Sequence, residues 1–217
     1  MASPAKLGQN RPDPGKRLLV DPARSVFINC PFDDEFEQLF DAMVFAIVCC
    51  GFTPRSALES GSVAEPRMER IAGPLFSSKY SIHDLSRCRG HGEANLARFN
   101  MPLELGMAMA RRYLAGETGV EHDWLLLVPE SHPYMRFLSD LAGFDPKAHN
   151  GTVVSLVPKV AAWLVSRPDA VPTPSPRRIL AALPSFRSQK SSLAKEWGGN
   201  IPWTELVTAA RKSAPSL

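Results

Sequence analysis

The 217-residue chain predicts an α/β domain built around a mainly parallel sheet of about five strands, with a short helical C-terminal tail. Three observations carry this. Short β-rich runs alternate with helix-period runs, an order that requires right-handed βαβ crossovers. The apolar fraction of 44% is ordinary for a globular protein, and no apolar run reaches the length of a membrane span. Polar residues gather in the segments after the strands, where open α/β sheets bind ligands. The expected arrangement is a flavodoxin-like three-layer α/β/α sandwich.

The elements follow in order. Residues 1–24 are polar and rich in Pro and Gly, are expected to be disordered, and lack the apolar core of a secretory signal. "SVFINCPF" is the first strand, turning at Pro31. "DDEFEQLFDAMVFAIVCCG" is a helix with an acidic first turn, an amphipathic pattern through Phe36, Leu39, Phe40, Met43, Val44 and Ile47, and Gly51 as terminator. "FTPRSALE" is a second strand weakened by Pro54. "EPRMERIAGPLFSS" opens as a helix that Gly73-Pro74 should break or kink. "YSIHDLS" is the third strand and "RCRGHGEANLARFN" a polar loop. A helix then starts at Pro102, a residue suited to a first helical position. "DWLLLVPE" is a buried fourth strand, "HPYMRFLSDLAG" a short helix, and "TVVSLVPKVAAWLVSR" a final one. The domain therefore spans 25–167. A Pro-rich linker covers 168–176, and 177–217 form a basic tail of short helices around "RRILAALPSF" and "IPWTELVTAARK".

Charge is divided along the chain. Residues 25–170 hold 13 Lys and Arg against 18 Asp and Glu, whereas the segment from Val171 holds 7 against 2. The tail has no basic block and no interleaved aromatics, so nucleic acid is not the expected partner. Trp197, Trp203, Ile179, Leu180, Leu206 and Val207 need burial, which predicts that the tail docks on the domain or on a second copy of it. Cys30, Cys49, Cys50 and Cys88 have neither zinc spacing nor a secreted disulfide framework, and the chain reads as cytoplasmic. The five histidines lack metal-ligand spacing such as HExxH, so no metal is expected.

The strand-end rule selects candidates. Glu104 stands near the expected start of the third helix, among Leu103, Leu105, Met107 and Ala108, with Gly106 clearing space beside it. A first-turn acid stabilised by the helix dipole would explain it. So would a cleft carboxylate that stabilises an oxocarbenium-like centre, accepts a proton or attacks an anomeric carbon. Asp84 ends the third strand, either to bond a ribose hydroxyl or to close the strand as an Asx turn. His83 should point to the opposite face. Asn29, Cys30, Pro31, Phe32 and Asp33 form the turn after the first strand. Asp33, Asp34 and Glu35 would repel phosphate there, so ribose or base contact fits better than a phosphate cradle. Glu59, Ser86, Arg87 and Asn100 complete the expected rim.

"VFINCPFDDEF", "YSIHDLSR" and "RFNMPLELGMAMA" together resemble the nucleoside 2-deoxyribosyltransferase-like and TIR-like superfamily of bacterial proteins over residues 25–167 or so. The matching features are the first-strand turn at Pro31-Phe32, Asp84, and the Glu104-Leu105-Gly106-Met107-Ala108 helix. The resemblance implies cleavage or transfer at an N-glycosidic bond of a nucleoside, nucleotide or NAD-like substrate, with Glu104 as the catalytic glutamate and Asp84 beside it. It implies no cofactor, with NAD as a possible substrate, and a role among antiphage defence effectors. A homo-oligomer is expected. The chain departs from the family at Phe99-Asn100-Met101, which would reshape the sugar and base pocket. The alternative is a nucleotide-sensing or protein-interaction module on the same fold.

Overall fold

In the computed structural model, which describes residues 20–62, 64–86, 100–118, 121–130 and 138–216, eleven strands and α-helices alternate as expected up to the fourth strand. The short helix expected over "HPYMRFLSDLAG" falls largely outside the described residues (131–137), and a fifth strand follows instead. The eleven are β1 (Ser25–Asn29), α1 (Glu37–Cys49), β2 (Thr53–Arg55), α2 (Arg67–Phe76), β3 (Tyr80–Asp84), α3 (Asn100–Thr118), β4 (Asp123–Pro129), β5 (Lys147–His149), α4 (Val153–Val165), α5 (Pro176–Glu196) and α6 (Trp203–Ser213). All strand pairs are parallel, in the order β2-β1-β3-β4-β5. This is the flavodoxin-like order, with its switch point between β1 and β3.

Alternation along the strands sorts the core. Val26, Ile28, Tyr80, Ile82, Leu125 and Leu127 face α1 and α4. Phe27 packs on Ile71 and Leu75 of α2 and Ala108 of α3, while Leu126 and Val128 meet Met101 and Leu105. Parity places Asn29 and His83 on the α2/α3 face and Asp84 on the α1/α4 face.

Three sequence expectations need correcting here. α1 is not amphipathic: every residue from Leu39 to Cys49 is buried. The tail explains this, because α5 and α6 cover its outer face, with Phe186 stacked on Phe45 at 5.2 Å and Trp203 against Phe40 at 6.2 Å. Asp41, buried on that outer side, accepts from Lys190 Nζ at 2.6 Å, and Arg187 donates to the Gln38 carbonyl. Basic tail residues thus pair with the acidic domain. Second, α5 is not short: it continues through Pro184 to Glu196, and Trp197 after it stays about half exposed (48%). Third, α2 is not broken at Gly73-Pro74. Proline removes one N–H donor, only Leu75 and Phe76 follow it, and the hydroxyls of Ser77 and Ser78 bond the carbonyls of Gly73 and Pro74.

The linker is tied down as well. Asp169 accepts from Tyr80 Oη at 2.5 Å and Lys79 Nζ at 2.8 Å. Gly51 ends α1 at φ +76°, where a Cβ would meet Val171 Cγ2 at 2.6 Å. The opposite face of the sheet carries one helical layer, on which Met68, Phe76, Leu103 and Tyr113 are exposed. No described helix is long and apolar enough to cross a membrane.

Candidate functional site

A cavity of about 410 Å³ opens at the C-terminal rim, where the segments after β1 and β2 meet the starts of α2 and α3. Its walls are Cys30, Pro31 and Phe32, then Ala57 and Leu58, then Arg67 and Arg70, and finally Asn100 and Met101. Five residues expected at the rim therefore come together: Cys30, Pro31, Phe32, Asn100 and Met101. The Phe32 ring is partly exposed and is braced edge-on by Phe40 at 5.4 Å. Arg67 and Arg70 escaped the sequence reading, although their spacing at the start of a helix after a strand was visible.

Glu104 does not line this cavity but stands behind it, hydrogen-bonded to Asn100 and within the field of Arg67, both of which do. The helix already runs from Asn100, so Glu104 sits in its second turn, and the first-turn dipole explanation loses its basis. It is nearly buried, at 4% exposure. Burial pushes its carboxyl up to about 7, although the Arg67 charge and a hydrogen bond from the Asn100 side chain pull the other way. Gly106 does not clear space beside it. It is exposed, and a Cβ there would meet nothing within 4 Å. Two residues along a helix point to different sides, so this glycine and Glu104 serve different surfaces.

Asp84 is fully buried and both its oxygens are engaged: Oδ1 accepts from Ser86 N at 2.8 Å, and Oδ2 pairs with His149 Nε2 at 2.9 Å. The Asx turn foreseen for it is therefore formed, alongside a hydrogen bond with the His149 ring. His149 was missed because β5 is only Lys-Ala-His and has no β-rich signal. Its Nδ1 accepts from Gly151 N at 3.2 Å, which puts the proton on Nε2, toward Asp84 and Ser86 Oγ. Serine and aspartate share one ring nitrogen, so this trio is not a nucleophilic triad, which needs them on opposite nitrogens.

The remaining candidates lie elsewhere. Asp33 accepts from Phe36 N at 3.0 Å at the entry to α1. Glu59 is clamped by Arg55 at 2.5–3.0 Å, which shapes the loop carrying Ala57 and Leu58. Arg87 falls outside the described residues. Cys30 is buried, at 1% exposure. Burial first, then the charges of Asp84, Glu104 and Asp33, push its thiol well above the usual range, which makes it inert as a nucleophile. Among the described residues no group of three or more His, Cys, Asp or Glu is placed to hold a metal.

Asn29 is buried too, and works beneath the cavity. Its amide donates to the Met101 carbonyl and to His83 Nδ1, both at 2.9 Å. His83 Nε2 bonds Ser81 Oγ at 2.8 Å, Ser81 Oγ meets His122 Nε2 at 2.9 Å, and His122 Nδ1 reaches the Ser78 carbonyl at 3.1 Å. An acceptor-only carbonyl at each end fixes every donor in between, and both imidazoles are neutral. His83 points away from Asp84 as expected.

Comparison with family models, with curated proteins and with solved structures returns no match. The site's own geometry therefore carries the functional reading.

The histidine chain gives a pH prediction. Burial lowers His83 to about 3, helped by the His122 charge, and lowers His122 to about 4, helped by Arg111. Their unfolded values lie near 6.5, so the unfolded chain binds more protons below that pH. The stability they contribute is complete above pH 6.5 and is lost as pH falls through 4 and then 3. The urea midpoint of the wild type should drop between pH 7 and pH 4.5, and His122→Asn should flatten that drop. An identical slope in the variant would exclude His122 as its source.

Proposed function

We propose that the rim cavity binds a nucleoside-type ligand and that Glu104 acts on its N-glycosidic bond. The observation that carries this reading is a nearly buried carboxyl, poised near neutrality, one residue behind a cavity with an aromatic wall at the strand ends and bonded to its lining residue Asn100. Such a group is half ionised around pH 7 and can serve an oxocarbenium-like centre either electrostatically or as a nucleophile. The C1′–N bond breaks and the base leaves with the bond pair. Water or an acceptor hydroxyl then supplies the new C1′–O bond, and its proton goes to the base. Phe32 stacks on the base. Asn29 and Asp84 hold the rim in shape through Met101 and His149.

A second reading, a nucleotide-sensing module, draws support from Asp84: both its oxygens are engaged, so it is not free to share the chemistry with Glu104. Incubation with mixed nucleosides, nucleotides and NAD, followed by chromatography of the products, separates the two. Free base is expected. Binding without any release of base would establish the sensing module instead.

A further inference from the structure

We propose that the ligand carries a phosphate held by Arg67 and Arg70, so that the substrate class is a phosphorylated nucleoside rather than a free one. This rests on the nucleoside reading of the same cavity. The cavity is divided: Phe32, Ala57, Leu58 and Met101 give it an apolar side, and two guanidinium groups from one face of α2 give it a cationic side. An uncharged nucleoside offers the second side hydrogen-bond acceptors but no negative charge.

Arg70 supplies the sharper observation. Its Nε is shut off from solvent and has no hydrogen-bond acceptor among the described residues. That nitrogen is closed to an atom of water size, so an oxyanion in the cavity meets Arg70 through the rest of its guanidinium, whose position the buried Nε holds. Guanidinium groups match phosphate oxygens in a bidentate fork. The helix adds its own donors. Pro66 caps α2 without a side-chain acceptor, and the first helical bonds run from Glu69 N and Arg70 N to the Pro66 carbonyl. The amides of Arg67 and Met68 thus have no partner within the helix and lie at its positive end.

The acidic run that argued against phosphate is placed differently. Asp33 bonds the amide of Phe36, Asp34 and Glu35 are exposed at the entry to α1, and none of the three lines the cavity. The cations that matter come from α2 instead. Arg67 also acts electrostatically on Glu104, which puts the cationic side next to the carboxyl assigned to the bond-breaking step.

Calorimetric titration of the full-length protein with a purine nucleoside, its 5′-monophosphate and inorganic pyrophosphate tests this. The monophosphate should bind about 10- to 100-fold more tightly than the nucleoside, as charge-assisted hydrogen bonds allow. Arg67→Gln and Arg70→Gln should each cut that ratio about tenfold. Arg67 is exposed, so its variant carries little risk of misfolding. Pyrophosphate should compete with the monophosphate, more weakly in the double variant and at high salt. Equal affinity for nucleoside and monophosphate, or a preference that survives both substitutions, overturns the phosphate assignment and leaves the Glu104 reading standing. Arginine-dependent binding of pyrophosphate with no binding of nucleoside or monophosphate supports the anion site and overturns the nucleoside reading.

Discussion

Glu104→Gln is expected to lower kcat by a factor of about 10² to 10⁴, the usual contribution of a positioned acid or base, while the protein stays folded. Glutamine preserves the size and the hydrogen-bonding reach of the side chain and removes only its ionisation. The accompanying stability change has a definite sign. The folded value is raised from 4.5 to about 7, so the stabilising contribution of the carboxyl is complete below pH 4.5 and is lost as pH rises through 7. At pH 8 the wild type therefore holds an unfavourable buried charge that the variant lacks, and the urea midpoint of Glu104→Gln should equal or exceed that of wild type. A structural acid would behave in the opposite way, with a lower midpoint and unchanged turnover. Base release and denaturation measured on one preparation decide between them.

Phe186→Ala should cost about 3–5 kcal/mol, a large part of the stability of an ordinary domain. The ring is fully buried and lies parallel to Phe45 in the centre of α1. Removing everything after Arg167 would go further and expose the whole outer side of an all-round apolar helix. The shortened chain is expected to lose cooperative unfolding. It should not behave as a relieved, more active enzyme, because α5 and α6 belong to the same core as β1 and β3. A truncated protein with a sharp melting transition would refute this.

The legible parts of the sequence were those where several signals coincided. β1, β3 and β4 are apolar runs between turn residues, and α1 has an acidic start and a glycine stop. Their order alone yields the parallel sheet and the rim. β5 was illegible because three residues, two of them polar, pair on β4 for reasons that only the tertiary structure supplies. Without β5, His149 had no address and Asp84 lost its partner. The α1 pattern was misread because the helix meets protein on its outer side as well, and sequence periodicity assumes water there. Arg67 and Arg70 were passed over for a similar reason. A pair of arginines at a helix start usually means a solvated surface, and only the fold sets these two on one cavity with Asn100 and Met101.

The unequal coverage of the two sheet faces decides where the molecule yields. On one side the sheet is backed by α1 and α4 and again by α5 and α6, in one continuous cluster. On the other, α2 is held by little more than Ile71 and Leu75 against Phe27 and Ala108, with Met68 and Phe76 facing solvent. Local opening takes the path with fewest buried contacts. The thin side is also the side that carries the arginines and, through α3, Glu104. The α2 wall of the cavity can therefore open locally while the strands beneath it stay fixed.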